Sequence, residues 1–268
     1  MSKVPMSLWR RSWLCVFVAL ILLFLIVPVF VVIPASFSDS KYLEFPPPAY
    51  SLKWYDAYLH SADWLASTRA SLLAASFTML FSTPVGVAAA YHINTLRPRI
   101  AQLLNLFILL PMIVPSILMG IGIFYVFIQL GIVNSMPGIV LAHSLLAVPY
   151  VVITVLSGLK SFDLRQEQVA RSLGAPRMSA FMRVTLPQIL PSVLSGALFA
   201  FIISLDEVVL SLFVAGGDNV VLTRRMFVAL RDALDPTIAA ISTIFITISL
   251  IVLGAVALIG AASRTVRR

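Results

Sequence analysis

Six apolar runs alternate with shorter polar segments along this chain, at about 13–35, 66–91, 101–130, 138–159, 192–215 and 237–262. A hydrocarbon core about 30 Å thick is crossed by about 20 helical residues, and every run is long enough. The ten-residue alternation that a membrane barrel requires is missing from all of them. The predicted class is therefore all-α, a polytopic membrane protein of about six transmembrane helices forming one domain over residues 1–268. Lys3, Arg10 and Arg11 before the first run give it the look of a secretory signal. A signal's apolar region is about 7–15 residues, shorter than this run, so an uncleaved span is expected.

The interruptions in this pattern carry information of their own. The third run contains "LLPMIVPSILMGIGIF", where Pro111 and Pro115 each remove a helix hydrogen bond and predict a kinked or locally unwound span. The fourth contains His143 and Pro149; a lone histidine among apolar neighbours suggests a packed or hydrogen-bonded group, and no metal site is assigned. Segment 36–65 is rich in Pro, aromatics and acids. Its Trp54, Tyr55, Tyr58 and Trp64 suit an interfacial aromatic belt, or a docking surface for an outside partner. Segment 216–236 predicts a short surface helix from Leu222 to Leu234.

Composition agrees with the pattern: 60% of residues are hydrophobic, 11% are charged and mean hydropathy is +1.01, against about 25% charged in a soluble domain. The net charge of +8 could suggest nucleic acid, but its distribution argues for membrane orientation. Thirteen of the 19 Lys and Arg fall on one side of the span map: the N-terminus, Arg97 and Arg99, the segment 160–191, and the tail with Arg264, Arg267 and Arg268. The excess of positive charge inside places both termini in the cytoplasm. The one cysteine, Cys15, allows no internal disulfide. No GxxxxGK[ST] loop, HExxH, GxSxG or paired-cysteine site occurs, so no nucleotide, cofactor or catalytic centre is expected in this chain. The first three spans do not repeat in the last three, which weakens an inverted-repeat secondary transporter.

The polar segment between the fourth and fifth runs reads "EQVARSLGAPRMSAFMRVTLPQILP" from Glu167 to Pro191. Its first part predicts a short helix with Val169, Ala170 and Leu173 as an apolar strip. Gly174 sits where a left-handed cap is wanted. Ala175-Pro176 restarts the chain, and Met178, Phe181 and Val184 recur at spacing three until Leu186-Pro187 stops the second helix. By itself this pattern fits an interfacial helix lying on lipid as well as a knob that docks into a partner. The string E-x-x-A-x-x-L-G-A-x-x-x-x-x-F-x-x-V-x-L-P closely resembles the EAA loop of ABC importer permeases, with Glu167, Ala170 and Gly174 at its glutamate, alanine and glycine positions. Gln168 and Val169 depart from the commonest Glu-Ala-Ala opening.

That resemblance implies a type I ABC importer permease in a bacterial inner membrane, a transport component and not an enzyme. It implies that Glu167, Ala170, Leu173, Gly174, Ala175 and Phe181 couple the chain to an ATP-binding subunit, present in two copies and holding the ATP. A second homologous permease subunit, in a heterodimer, and an extracytoplasmic substrate-binding protein are the other implied partners. "PMIVPSILMGIGI" (111–123), "AHSLLAVPYVV" (142–152), "SLDEVVLSLF" (204–213) and "LTRRMFVALRDALDPTIAAIST" (222–243) resemble the spermidine/putrescine group of these permeases. A polyamine or related small amine is the substrate that this implies; opines, amino acid derivatives and small organic acids are carried by other members. An ATP-independent channel or secondary transporter, and a membrane scaffold without a path, are the readings from other classes.

Asp206 and Glu207 stand inside the fifth run, roughly 13 Å from its outer end at 1.5 Å per residue. Carboxylates in hydrocarbon cost several kcal/mol unless they face a cavity or a partner. On a continuous helix, Ala197, Ala200, Ser204, Glu207 and Ser211 share a small, polar face, whereas Ile202, Ile203, Leu210 and Phe213 surround Asp206. Glu207, Asp206, Ser204 and Ser211 are thus the candidate path residues, with Glu207 expected to point into the path and Asp206 more towards a neighbouring helix. Both could instead make purely structural interhelical bonds. The span map itself is testable: in a Cys15→Ser background, an impermeant maleimide added outside should label Ser51→Cys and leave Ser179→Cys unreacted. The reverse labelling would invert the map.

Overall fold

The computed structural model describes the backbone of residues 8–42 and 44–265 and the side chains of 13–42, 44–232 and 234–251. Lys3, Arg267 and Arg268 lie outside the described residues, as do the side chains of Arg10, Arg11 and Arg264. The described residues form helices α1 (Leu8–Ser36), α2 (Lys53–His60), α3 (Ala62–Thr95), α4 (Pro98–Ile113), α5 (Ser116–Leu130) and α6 (Met136–Ser161). They continue with α7 (Arg165–Ser172), α8 (Arg177–Ala180), a π turn (Phe181–Thr185), α9 (Leu186–Asp206), α10 (Val209–Val214), α11 (Leu222–Ala233) and α12 (Thr237–Thr265). The chain divides into two compact units, residues 1–62 with 228–268, and residues 63–227.

In the first unit α12 packs on α1 and α2. The Ser36 and Tyr55 hydroxyls are 2.6 Å apart, and Lys53 pairs with Asp39 at 2.7 Å. Helix α1 exposes an unbroken apolar surface from Trp13 to Phe30, as expected of a helix bathed in lipid.

The second unit is built on α6 and α9. Ala147, Val151 and Val155 of α6 interlock with Ile189, Val193 and Ala200 of α9, and Val87 and Ala90 of α3 close this core. Small residues let the helices approach, which in lipid is the main source of packing energy. Gly86 is the tightest case in α3: a Cβ there would lie 2.6 Å from Val151 Cβ. A second core joins Phe127 of α5, Ile139 and Ala142 of α6, and Leu210 and Val214 of α10. The start of α11 is pinned to α3: the Leu222 amide donates to Ser71 Oγ at 2.7 Å, and Arg225 Nε donates to Ser67 Oγ at 2.7 Å.

Three features of the span map change. The third run is two helices, α4 and α5, bent by 98° at Val114-Pro115, which realises the predicted kink as a full break. The fifth run is also broken: α9 ends at Asp206, Glu207 is extended (φ −72°, ψ 110°), and α10 starts at Val209. No proline or glycine marks this break. Conversely, Leu186-Pro187 stops nothing. Proline is tolerated in the first turn of a helix, and the π turn carries the chain from α8 directly into α9. Tyr58 and Trp64, read from the sequence as part of an interfacial aromatic belt or a docking surface, are buried within the chain, and the Arg225 guanidinium lies 5.7 Å from the Trp64 ring centroid.

The packing yields a test at Gly86. Gly86→Val should force α3 away from α6 and cost about 1–3 kcal/mol, read as a lower temperature at which half of the solubilised protein stays monodisperse. Gly122→Ala, where an added Cβ meets nothing within 4 Å, is the control and should leave that temperature unchanged.

Candidate functional site

Two clusters of polar side chains stand out in the second unit, one at the knob formed by α7 and α8 and one at the break between α9 and α10. At the knob, α7 ends as the sequence predicts. Gly174 adopts φ +94°, the Gly174 amide donates to the Arg171 carbonyl at 3.0 Å, and the Ala175 amide donates to the Ala170 carbonyl at 3.1 Å. A side chain at this φ is strained, so the turn selects glycine. Pro176 is extended and precedes α8.

The expected docking residues divide into two groups. Val169 and Leu173 are exposed (59% and 84%), as is Gly174, while Ala170 and Ala175 are half-buried at the same end. Glu167 is different. It is 4% exposed, and its carboxylate accepts from Tyr91 Oη and from Thr185 Oγ1, each at 2.5 Å. Phe181 likewise packs inward, edge-on to Tyr91 with ring centroids 4.7 Å apart. Arg177 covers the other side of that ring, 5.3 Å from its centroid. Glu167 thus ties α7 to the end of α3 and to the π turn that feeds α9. A buried carboxylate is tolerable when its oxygens are hydrogen-bonded, and charge-assisted bonds of this kind are among the stronger ones. Beside the tie, Pro84, Val87, Tyr91, Met178, Phe181 and Leu186 line an apolar cavity of about 620 Å³. Tyr91 and Thr185 were missed by sequence reasoning, because Tyr91 lies 76 residues from Glu167 and nothing local marks either partner.

At the break the two acids differ in exposure and partners. Asp206 is exposed and makes no hydrogen bond or ion pair with a described residue. Glu207 is half-buried; its carboxylate accepts from the Leu210 amide at 2.8 Å and so caps α10. The helical face that grouped Glu207 with Ser204 and Ser211 ends with α9 at Asp206. Ser204 and Ser211 are both buried and both bonded to His143, at 2.8 Å to Nδ1 and 3.0 Å to Nε2. The sequence reading of His143 as a hydrogen-bonded group matches this geometry. Among the described residues there is no cluster of His, Cys, Asp or Glu able to hold a metal ion.

Residues 82–264 match the family described as binding-protein-dependent transport system inner membrane component. The chain is 30% identical over 234 residues to the spermidine/putrescine transport system permease protein PotC of Haemophilus influenzae, covering 87% of this chain and 91% of that one. It is 29% identical over 267 residues to the putrescine transport system permease protein PotI of Escherichia coli K12, covering 97% and 92%. The fold matches a chain from the crystal structure of a bacterial ABC transporter involved in the import of the acidic polysaccharide alginate. That match has a TM-score of 0.71 at 16% identity and covers 96% of this chain and 98% of that one.

The knob geometry predicts its own weak point. Tyr91→Phe leaves Glu167 buried with one hydroxyl donor, and loss of a bond to a charged group should loosen the tie enough to raise trypsin cleavage at Arg171 and Arg177 about tenfold. Unchanged cleavage in solubilised protein would show that the tie does not hold the knob.

Proposed function

We propose, since the chain belongs to the family of binding-protein-dependent transport system inner membrane components, that it forms half of a translocation path for a polyamine or a related small amine. As an ABC importer permease subunit it works with an ATP-hydrolysing subunit and a substrate-binding protein and carries out no chemistry itself. The second half of the path is a homologous permease subunit, in a heterodimer. Both termini and segment 160–191 face the cytoplasm.

Coupling runs through the knob in two steps. Val169, Leu173 and Gly174, with Ala170 and Ala175 behind them, offer a compact apolar surface to the motor subunit. Glu167 and Phe181 pass movement of that surface inward, to α3 through Tyr91 and to α9 through the π turn. The fusion of α8 to α9 makes the knob and the span one lever.

A single observation carries the substrate reading: Asp206 is an exposed carboxylate within a membrane span, at the end of an apolar helix. Facing lipid it would cost several kcal/mol, so its face belongs to a polar path closed by the second subunit. An ammonium group leaving water there gains a compensating charge. The names of PotC and PotI, which specify spermidine and putrescine, support the same class of cargo. Glu207, Ser204 and Ser211 shape the break beside this acid and do not line the path themselves.

The test is the initial rate of amine uptake per assembled complex. Asp206→Asn should lower it by about tenfold or more, in keeping with the loss of a charged hydrogen-bonding partner. Glu207→Gln, whose amide oxygen still accepts from Leu210, should change it little. Gly174→Leu, which penalises the left-handed turn by about 1–2 kcal/mol, should leave ATP hydrolysis running without uptake. Native uptake by Asp206→Asn would remove the acid from the path.

A further inference from the structure

We infer that His143 is a positioning residue, a staple across the α9–α10 break that holds Asp206 and the start of α10 in the arrangement transport requires. Its ring is 1% exposed and lies in an unbroken part of α6, facing both sides of the interruption. Nδ1 is 2.8 Å from Ser204 Oγ, before the break, and Nε2 is 3.0 Å from Ser211 Oγ, beyond it. One side chain therefore spans a gap at which the helix's own backbone ladder stops.

Ser204 Oγ donates to Thr78 Oγ1 of α3 at 3.2 Å, and Ser211 Oγ lies 2.8 Å from the Glu207 carbonyl. The imidazole presents one ring nitrogen to each of these two hydroxyls. The Glu207 carbonyl also takes the Thr223 hydroxyl of α11, at 3.0 Å. Each end of the staple is thereby anchored to a further helix, α3 on one side and α11 on the other. A broken span in hydrocarbon persists only where neighbouring groups take up the freed backbone, and a fully satisfied buried network specifies one arrangement. An imidazole provides what this position needs, two ring nitrogens on opposite edges of a rigid ring. The side-chain amides of asparagine and glutamine reach only one of the two serines each.

The inference rests on the permease reading for its transport readout alone, and a labelling readout stands apart from it. In the assembled transporter, with Cys15→Ser and Val208→Cys, the rate of maleimide modification at 208 reports opening of the break. His143→Ala should raise that rate about tenfold, since two buried hydrogen bonds no longer oppose opening. Amine uptake per assembled complex should fall in parallel, while ATP hydrolysis by the motor stays within about twofold of native, the knob being untouched. His143→Gln, which retains the Ser211 bond, and His143→Asn, which retains the Ser204 bond, should each fall between alanine and native. If His143→Ala fails to assemble, Ser211→Ala removes only the far anchor and should still speed labelling. Native labelling in His143→Ala, or in Ser211→Ala where the first does not assemble, overturns the staple. Full native labelling and uptake in both amide variants would overturn it equally. Fast labelling with unchanged uptake would keep the staple and refute its part in transport. Loss of amine uptake in every variant and in native protein alike would instead refute the substrate reading and leave the labelling result standing.

Discussion

Hydrocarbon supplies no hydrogen bonds, so a break inside a span depends on what neighbouring helices provide. The α9–α10 break is the main case. Its exposed peptide and side-chain groups are taken up by Leu210, Ser211, Thr223 and His143. The close approach of α3, α6 and α9 through small residues brings these donors and acceptors within reach. Packing and polar satisfaction are one constraint here: a helix held away from α6 by a larger side chain would also lose its bonds to His143.

The same constraint organises the knob, though there the stakes are mechanical. A buried carboxylate with two hydroxyl donors links α7 to two different spans, and the ring that supplies one donor meets Phe181 edge-on and has the Arg177 guanidinium near its face. The family glutamate is therefore buried inside the knob, while Val169 and Leu173 face outward among Gln168, Arg171 and Ser172. This separates the residues of the loop into those that face outward and those that tie the knob to the spans.

The sequence made the long apolar helices α1, α3 and α6 legible because apolar length is a property of each segment alone. It made Gly174 legible because a left-handed residue must be nearly free of side-chain strain, and it made the α4–α5 bend legible because Pro111 and Pro115 announce it. The second break was not legible. "SLDEVVL" has no proline or glycine, and the interruption depends on His143 and Thr223, which are distant in the chain. Extending an ideal helix through this point put Glu207 on one face with Ser204 and Ser211, whereas the interrupted turn leaves Glu207 capping α10 and Asp206 exposed. Leu186-Pro187 misled in the opposite direction, because a proline at a helix start and a proline ending one look alike until the π turn before it is seen. Burial of Glu167 was invisible for the same reason as the break: its partners are remote in sequence.

The π turn at 181–185 has a consequence for how such a chain can diversify. A π turn is an α-helix with one residue inserted, and one residue is worth about 100° of rotation around the axis. The turn sits between α8 of the knob and the apolar helix α9. Gaining or losing that residue would re-aim the knob while every side chain of α9 kept its neighbours. Knob and span can thus change in sequence independently, with the joint taking up the difference in phase.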